Sequence, residues 1–133
     1  MKYCAAQVKY LTAIQELSAA SDEVKSVDIA RHLGVSRSSV SKTLRCLANS
    51  GLVYEDYAIS VVLTPEGIDV VRDIFRNFNE TYIFFRRFLK LSHEDAHNQA
   101  LTFVTTFPEE TCDRLRKVIK KTSRKTNIDK KPH

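Results

Sequence analysis

Apolar residues recur at helical spacing along most of the chain. Val8, Leu11, Ile14 and Leu17 fall three apart and predict an amphipathic first helix over residues 3–19. Ser21, Asp22 and Glu23 interrupt that pattern. Ser26 is placed to cap a short helix with Ile29, Ala30 and Leu33 facing inward, and Gly34 to end it. Ser36 opens a further helix whose Val40, Leu44 and Leu47 form an inward stripe, closed by Asn49-Ser50-Gly51. The pattern then changes to that of strands. Leu52-Val53-Tyr54 and the run from Ile59 to Leu63 flank Glu55-Asp56-Tyr57-Ala58, which predicts a small hairpin. Thr64-Pro65-Glu66 starts a long helix, with a capping hydroxyl, a proline in the first helical position and an acid at the positive end of the dipole. That helix is expected to run to about Leu91. Ser92 and Asp95 cap a fifth, and Phe107-Pro108-Glu109-Glu110 starts a sixth that reaches about Lys121.

The order helix, helix, turn, helix, hairpin and then long helices predicts a mainly α fold. A winged helix-turn-helix DNA-binding region is expected over residues 1–64 and a helical dimerisation region over 65–121. The segment 122–133 has almost nothing to bury and is expected to be a disordered basic tail. Three glycines and three prolines are too few for a loop-rich β fold. No apolar run approaches the roughly 20 residues of a membrane span. The start, Met-Lys-Tyr-Cys-Ala-Ala, carries no apolar signal segment, so a cytoplasmic protein is expected. Cys4, Cys46 and Cys112 form no close pair and read as reduced thiols.

Charge sharpens the picture because it is uneven. Nine of the 21 Lys and Arg residues lie between Arg114 and Lys131, against the single acid Asp129. The remaining 12 face 15 acids, so the rest of the chain is weakly acidic. Inside that acidic body, residues 31–45 hold Arg31, Arg37, Lys42 and Arg45 and no acid. Two separate basic regions imply an anionic partner met at defined places.

The first of them coincides with the helix-turn-helix. Ala30 is small where two helices would cross, and Gly34 permits the turn. With Val40, Leu44 and Leu47 directed inward, Ser38, Ser41, Lys42 and Arg45 face outward, and Ser36, Arg37 and Ser39 occupy the helix start. Small hydroxyls let a helix enter the major groove, while Lys and Arg reach bases or phosphates. The candidate DNA-binding residues are therefore Ser36, Arg37, Ser38, Ser39, Ser41, Lys42 and Arg45, with first-turn amides suited to a phosphate. The wing tip carries Glu55 and Asp56 and no cation, so it is expected to add little affinity.

On the long helix, Ile68, Val71, Phe75, Phe78, Tyr82, Phe85 and Leu89 are spaced alternately three and four apart, a seam sustained over three heptads. A reader with one recognition helix gains specificity from a second copy about one DNA turn away. The seam is thus the candidate homodimer interface.

The first helix, the helix-turn-helix, the wing ending in Val-Leu-Thr-Pro-Glu-Gly at 62–67, the long helix with Phe88-Leu89 near its end and two further helices together resemble the metal-dependent repressors of the diphtheria-toxin-repressor type. The likeness spans about residues 7–121 and is nearest to the short manganese-responsive branch. It implies a homodimeric transcriptional repressor that binds a pseudo-palindromic operator when loaded with divalent manganese or iron. At the positions where that family holds metal ligands, however, this chain has Lys9, Thr12, Tyr82, Leu101, Val104 and Thr105. Only His97 falls at a histidine some members use in an ancillary site. The expectation is a regulator that has lost the primary metal site.

His93-Glu94-Asp95-Ala96-His97 matches a zinc-peptidase pattern, with two histidines on one helix face and a Glu between them. As the start of a capped helix it reads as capping residues, and no enzyme activity is expected. His93 and His97, with Cys4 or Cys112, remain the candidates for a metal site outside the family pattern. The sequence reading is a homodimeric, sequence-specific DNA-binding regulator, most naturally a repressor. The alternative is a winged-helix regulator of the multiple-antibiotic-resistance type that senses a small organic ligand.

Overall fold

The computed structural model describes residues 3–129, with side chains through residue 122. Six helices follow in order: α1 (Ala5–Ala20), α2 (Ser26–Leu33), α3 (Arg37–Asn49), α4 (Pro65–Arg87), α5 (His93–Thr106) and α6 (Glu109–Asp129). The chain divides into two compact units, one of Ala6–Asp73 and one that joins the residues up to Ala5 with those from Ile74 onward.

The first unit is built on the predicted stripes. Val8, Leu11 and Ile14 of α1, Ile29 of α2, and Val40, Leu44 and Leu47 of α3 are all at most 1% exposed. Leu17 is only half-buried, and Tyr10 and Ala13 join the core in its place. Each side chain of this size adds roughly 1.5–3 kcal/mol of burial free energy, which holds helices too short to persist alone.

Helix α2 starts differently from the sequence expectation. Lys25 is its N-cap and Ser26 its first helical residue. Asp28 supplies the capping oxygen, accepting from the Lys25 N–H at 2.9 Å. A carboxylate three residues inside the helix end also meets the positive end of the dipole, which a serine hydroxyl cannot match. Gly34 closes α2 in the left-handed region at φ 66°, its N–H donating to the Ala30 carbonyl.

The hairpin is shorter than expected. Its antiparallel pairing is a bridge between Val53 and Leu63, with the Tyr54 N–H donating to the Val62 carbonyl at 3.1 Å. Asp56 draws the tip into turns by accepting from the N–H groups of Ile59 and Ser60. The Val61 N–H donates sideways to the Val24 carbonyl at 2.8 Å, so the far side of the wing is tied to the α1–α2 connection.

Thr64 joins the wing to α4. Its Oγ1 donates to the Gly51 carbonyl at 2.6 Å and accepts from the Gly67 N–H at 3.0 Å. Its N–H donates to the Leu52 carbonyl at 3.0 Å. One residue therefore caps α4 and fastens that cap to the end of α3.

The second unit is built on Ile74, Ala96, Ala100, Val104 and Ile119, all buried. Helix α4 ends at Arg87 rather than near Leu91, with Lys90 in the left-handed conformation at φ 58° and the Leu91 N–H folded back onto the Phe85 carbonyl. Helix α6 continues to Asp129, past the expected end near Lys121 and into the segment expected to be disordered. Lysine and arginine are good helix formers, so a basic run with no glycine or proline can extend a helix already nucleated by packing. The remainder of that expectation, residues 130–133, lies outside the described residues.

Candidate nucleic-acid interface

Helix α3 carries the candidate DNA-reading residues, and its sequence explains its orientation. Burying Val40, Leu44 and Leu47 turns positions 38, 41, 42 and 45 to the opposite face, with Arg37 in the first turn. Arg37, Ser38, Ser41, Lys42 and Arg45 are all exposed, as are Ser36 and Ser39 at the helix start. From Arg37 to Arg45 the stripe is about 12 Å long at 1.5 Å per residue, the scale of a helix presented to a major groove.

The seven candidates separate into two groups. Ser36 is the N-cap, and its Oγ accepts from the Ser39 N–H at 3.1 Å. The same hydroxyl donates to Ser39 Oγ at 2.9 Å and lies 3.2 Å from Ser38 Oγ. Ser36, Ser38 and Ser39 thus form a local hydroxyl cluster that builds the helix start. The amide of Ser39, expected to be offered to a phosphate, is engaged by this cap. Arg37, Ser41, Lys42 and Arg45 make no hydrogen bond or ion pair among the described residues.

The supporting helix is held from behind. His32 of α2 and Glu16 of α1 meet at 3.0 Å between Nε2 and Oε2. Both are substantially exposed, so the pair contributes little energy and mainly sets the direction of α2. At the wing tip Glu55 and Asp56 are exposed, in keeping with a weak phosphate contact there.

The residues at the family's metal positions do not suit a divalent ion. Thr12 Oγ1 donates to the Val8 carbonyl at 2.9 Å, and Thr105 Oγ1 to the Leu101 carbonyl at 2.8 Å. Val104 is 1% exposed, Leu101 half-buried, and Lys9 is itself a cation. The Tyr82 hydroxyl is hydrogen-bonded to His93 Nδ1. Hard divalent cations require carboxylate or carbonyl oxygens and softer ones imidazole or thiolate; this set offers neither. His97 packs edge-on against the Phe78 ring at 5.1 Å, and its ring is 6.4 Å from that of His93. Among the described residues no three His, Cys, Asp or Glu side chains gather as a metal site. Cys4 and Cys46 are exposed, and burial pushes the Cys112 thiol up, which keeps it protonated.

The candidate dimer seam is placed unevenly. Val71 is 3% exposed and belongs to the core. Phe75, Phe78, Tyr82 and Phe85 are half-buried. Phe78 and Tyr82 meet His97 and His93 of α5, and Phe85 meets Phe103 at 6.3 Å. Only Ile68 and Leu89 at the ends stand well exposed. A second apolar set was not legible in the heptad spacing. Ile83 and Phe88 are exposed, and Phe84 stacks on Phe88 at 5.1 Å. The i, i+4 pair Phe84 and Phe88 was the available signal.

A short helix, a glycine turn, a second helix with an unpaired basic face and a small wing define a helix-turn-helix DNA-binding protein. Residues 5–58 match the family described as iron dependent repressor, N-terminal DNA binding domain. The fold extends further. A hypothetical protein from Sulfolobus solfataricus shares it with a TM-score of 0.73 at 22% identity, over 90% of this chain and 91% of that one. The metal-dependent transcriptional regulator MtsR gives a TM-score of 0.75 at 22% identity, over 86% of this chain and 53% of its own. IdeR of T. acidophilum gives 0.63 at 25% identity, over 80% of this chain and 50% of its own. The chain thus spans about half the length of these two regulators. No curated protein sequence is similar enough to match. No helix among the described residues is long and apolar enough to cross a membrane.

Proposed function

We propose that the protein is a homodimeric, sequence-specific transcriptional repressor that reads its operator through α3 and needs no divalent metal to do so. The observation that carries this is the α3 stripe. Arg37, Ser41, Lys42 and Arg45 are exposed, unpaired and free of neighbouring acids, within a segment matching a repressor DNA-binding domain. Manganese- and metal-dependent regulators among the structures of the same fold point to repression as the activity. The mechanism is binding alone: two copies of α3 in successive major grooves would occlude a promoter.

Metal independence follows from the donor set at Lys9, Thr12, Tyr82, Leu101, Val104 and Thr105. A metal can favour the DNA-competent arrangement only by its differential affinity for it. Without carboxylate, imidazole or thiolate at those positions that difference vanishes. The test is a DNA selection on the purified protein, followed by affinity for the selected operator in chelator and in excess manganese, iron or zinc. Affinities agreeing within about threefold, or roughly 0.6 kcal/mol, are expected. A tenfold rise with any of these ions would overturn metal independence and leave the operator reading intact.

For the second copy, the exposed apolar residues at the end of α4 and just beyond it are the support. Ile83, Phe88 and Leu89 are 48%, 42% and 53% exposed, beside the half-buried Phe84. Apolar residues clustered this way on a water-soluble surface mark an association site. Leu89→Glu is expected to shift the protein to monomer in light scattering while leaving its melting temperature nearly unchanged. A charge at an exposed position costs the fold little, whereas inside an interface it costs several kcal/mol. An unchanged dimer would move the interface elsewhere.

A further inference from the structure

We infer that the C-terminal half of α6 is a second, sequence-independent binding surface for duplex DNA, separate from the reading stripe of α3. The inference rests on the operator-binding reading. Its own support is the continuation of α6 to Asp129, which places a basic run on one helix rather than in an unstructured tail. Lys117, Lys120 and Lys121 fall on one face, and Arg124 and Lys125 follow in the sequence of the same helix. The face opposite carries Ile119, buried at 7% exposure.

Neighbouring cations of α6 are already used. Arg114 pairs with Glu110 at 2.9 Å. Arg116 reaches Asn77 and Asp113 and lies 4.0 Å from Glu80. Lys117, Lys120 and Lys121, by contrast, are exposed and make no hydrogen bond or ion pair among the described residues. No acid occurs between Arg114 and Ile128 to neutralise them. Five cations occur among the nine residues 117–125 of this helix, which rises about 12 Å over that length, the span of roughly three phosphates along one DNA strand.

The partner that fits is a regular polyanion. A helix lying in a membrane surface must insert its apolar face, and here Ile119 is spent on the protein's own core. The body before Arg114 has more acids than bases, so outside α3 it repels DNA at long range. The α6 stripe reverses that sign. It would hold the protein on any duplex while α3 discriminates among sequences, the division of labour between phosphate and base contacts.

The test uses the full chain carrying Lys117→Gln, Lys120→Gln, Lys121→Gln, Arg124→Gln and Lys125→Gln together, with helicity checked by circular dichroism. Binding to a random-sequence duplex and to the selected operator is measured across a range of salt. The variant should show a salt dependence shallower by about three log units per log unit of salt, and random-duplex affinity at least about tenfold lower at 0.1 M salt. Its preference for operator over random DNA should equal that of the wild type. An unchanged salt slope in the variant would overturn the inference. If Lys42→Ala meanwhile lowers the operator preference, the α3 reading survives that failure. Loss of binding to phosphatidylserine vesicles with DNA affinity unaltered would likewise overturn it, in favour of a membrane. A wild-type protein that binds no duplex would overturn both readings.

Discussion

Gly67→Ala is expected to destabilise the protein by about 3 kcal/mol or more, enough to unfold it or to move its urea midpoint far down. Two effects oppose each other at this position. Alanine in place of glycine inside a helix normally gains roughly 1 kcal/mol. Here a Cβ would collide with the Leu52 carbonyl oxygen and stand 3.1 Å from its carbon and 3.3 Å from Leu63 Cδ2. The Leu52 oxygen is backbone and already accepts the Thr64 N–H. It cannot yield without breaking the joint between the end of α3, the wing and the start of α4. The steric cost therefore exceeds the propensity gain. Gly34→Ala makes the contrast: φ is +66° but nothing lies within 4 Å of the new Cβ. It should cost only about 1–2 kcal/mol, the strain of a left-handed residue. If Gly67→Ala unfolds at the wild-type midpoint, the close seating of α4 on Leu52 is wrong.

Lys42→Ala and Arg45→Ala are each expected to weaken operator binding by about 1–3 kcal/mol without changing the unfolding midpoint. Both side chains point away from Val40, Leu44 and Leu47 and touch no charged or hydrogen-bonding neighbour among the described residues. Nothing in the fold therefore depends on them. The two losses can be told apart. A residue that contacts a base should relax specificity at one operator position, whereas a phosphate contact should lower affinity for all sequences and reduce the salt slope by about one. If both substitutions leave affinity and salt slope intact, α3 is not the reading helix.

The parts of this protein written in local chemistry were legible without coordinates. Helix α3 is the clearest case. Ser36 as cap, three apolar residues at helical spacing and Gly51 beyond the end specify both its limits and its outward face. The start of α4 at Thr64-Pro65-Glu66 was legible for the same reason, since a capping hydroxyl and an N-terminal proline act over one turn. The end of α4 was not. Its seam continues to Leu89, but the chain turns through Lys90 in a conformation that lysine rarely favours. The hydroxyl cluster was not legible: Ser36 caps α3, and Ser38 and Ser39, read with it as DNA contacts, are hydrogen-bonded to its hydroxyl.

By itself, then, the sequence determined the order of helices, the helix-turn-helix, the exposed basic stripe of Arg37, Ser41, Lys42 and Arg45, and the donor-poor chemistry at the family's metal positions. Each depends on residue identity and on neighbours within about two turns. Only the tertiary structure decided which apolar residues of α4 and of the two positions after it are spent inside the protomer. Val71 and Ile74 are buried, while Ile83, Phe88 and Leu89 remain exposed. Only the tertiary structure, too, revealed Gly67 as a point of contact between α4 and the end of α3. Periodicity tells which side chains share a face, but burial depends on which segment, distant in sequence, comes to cover that face.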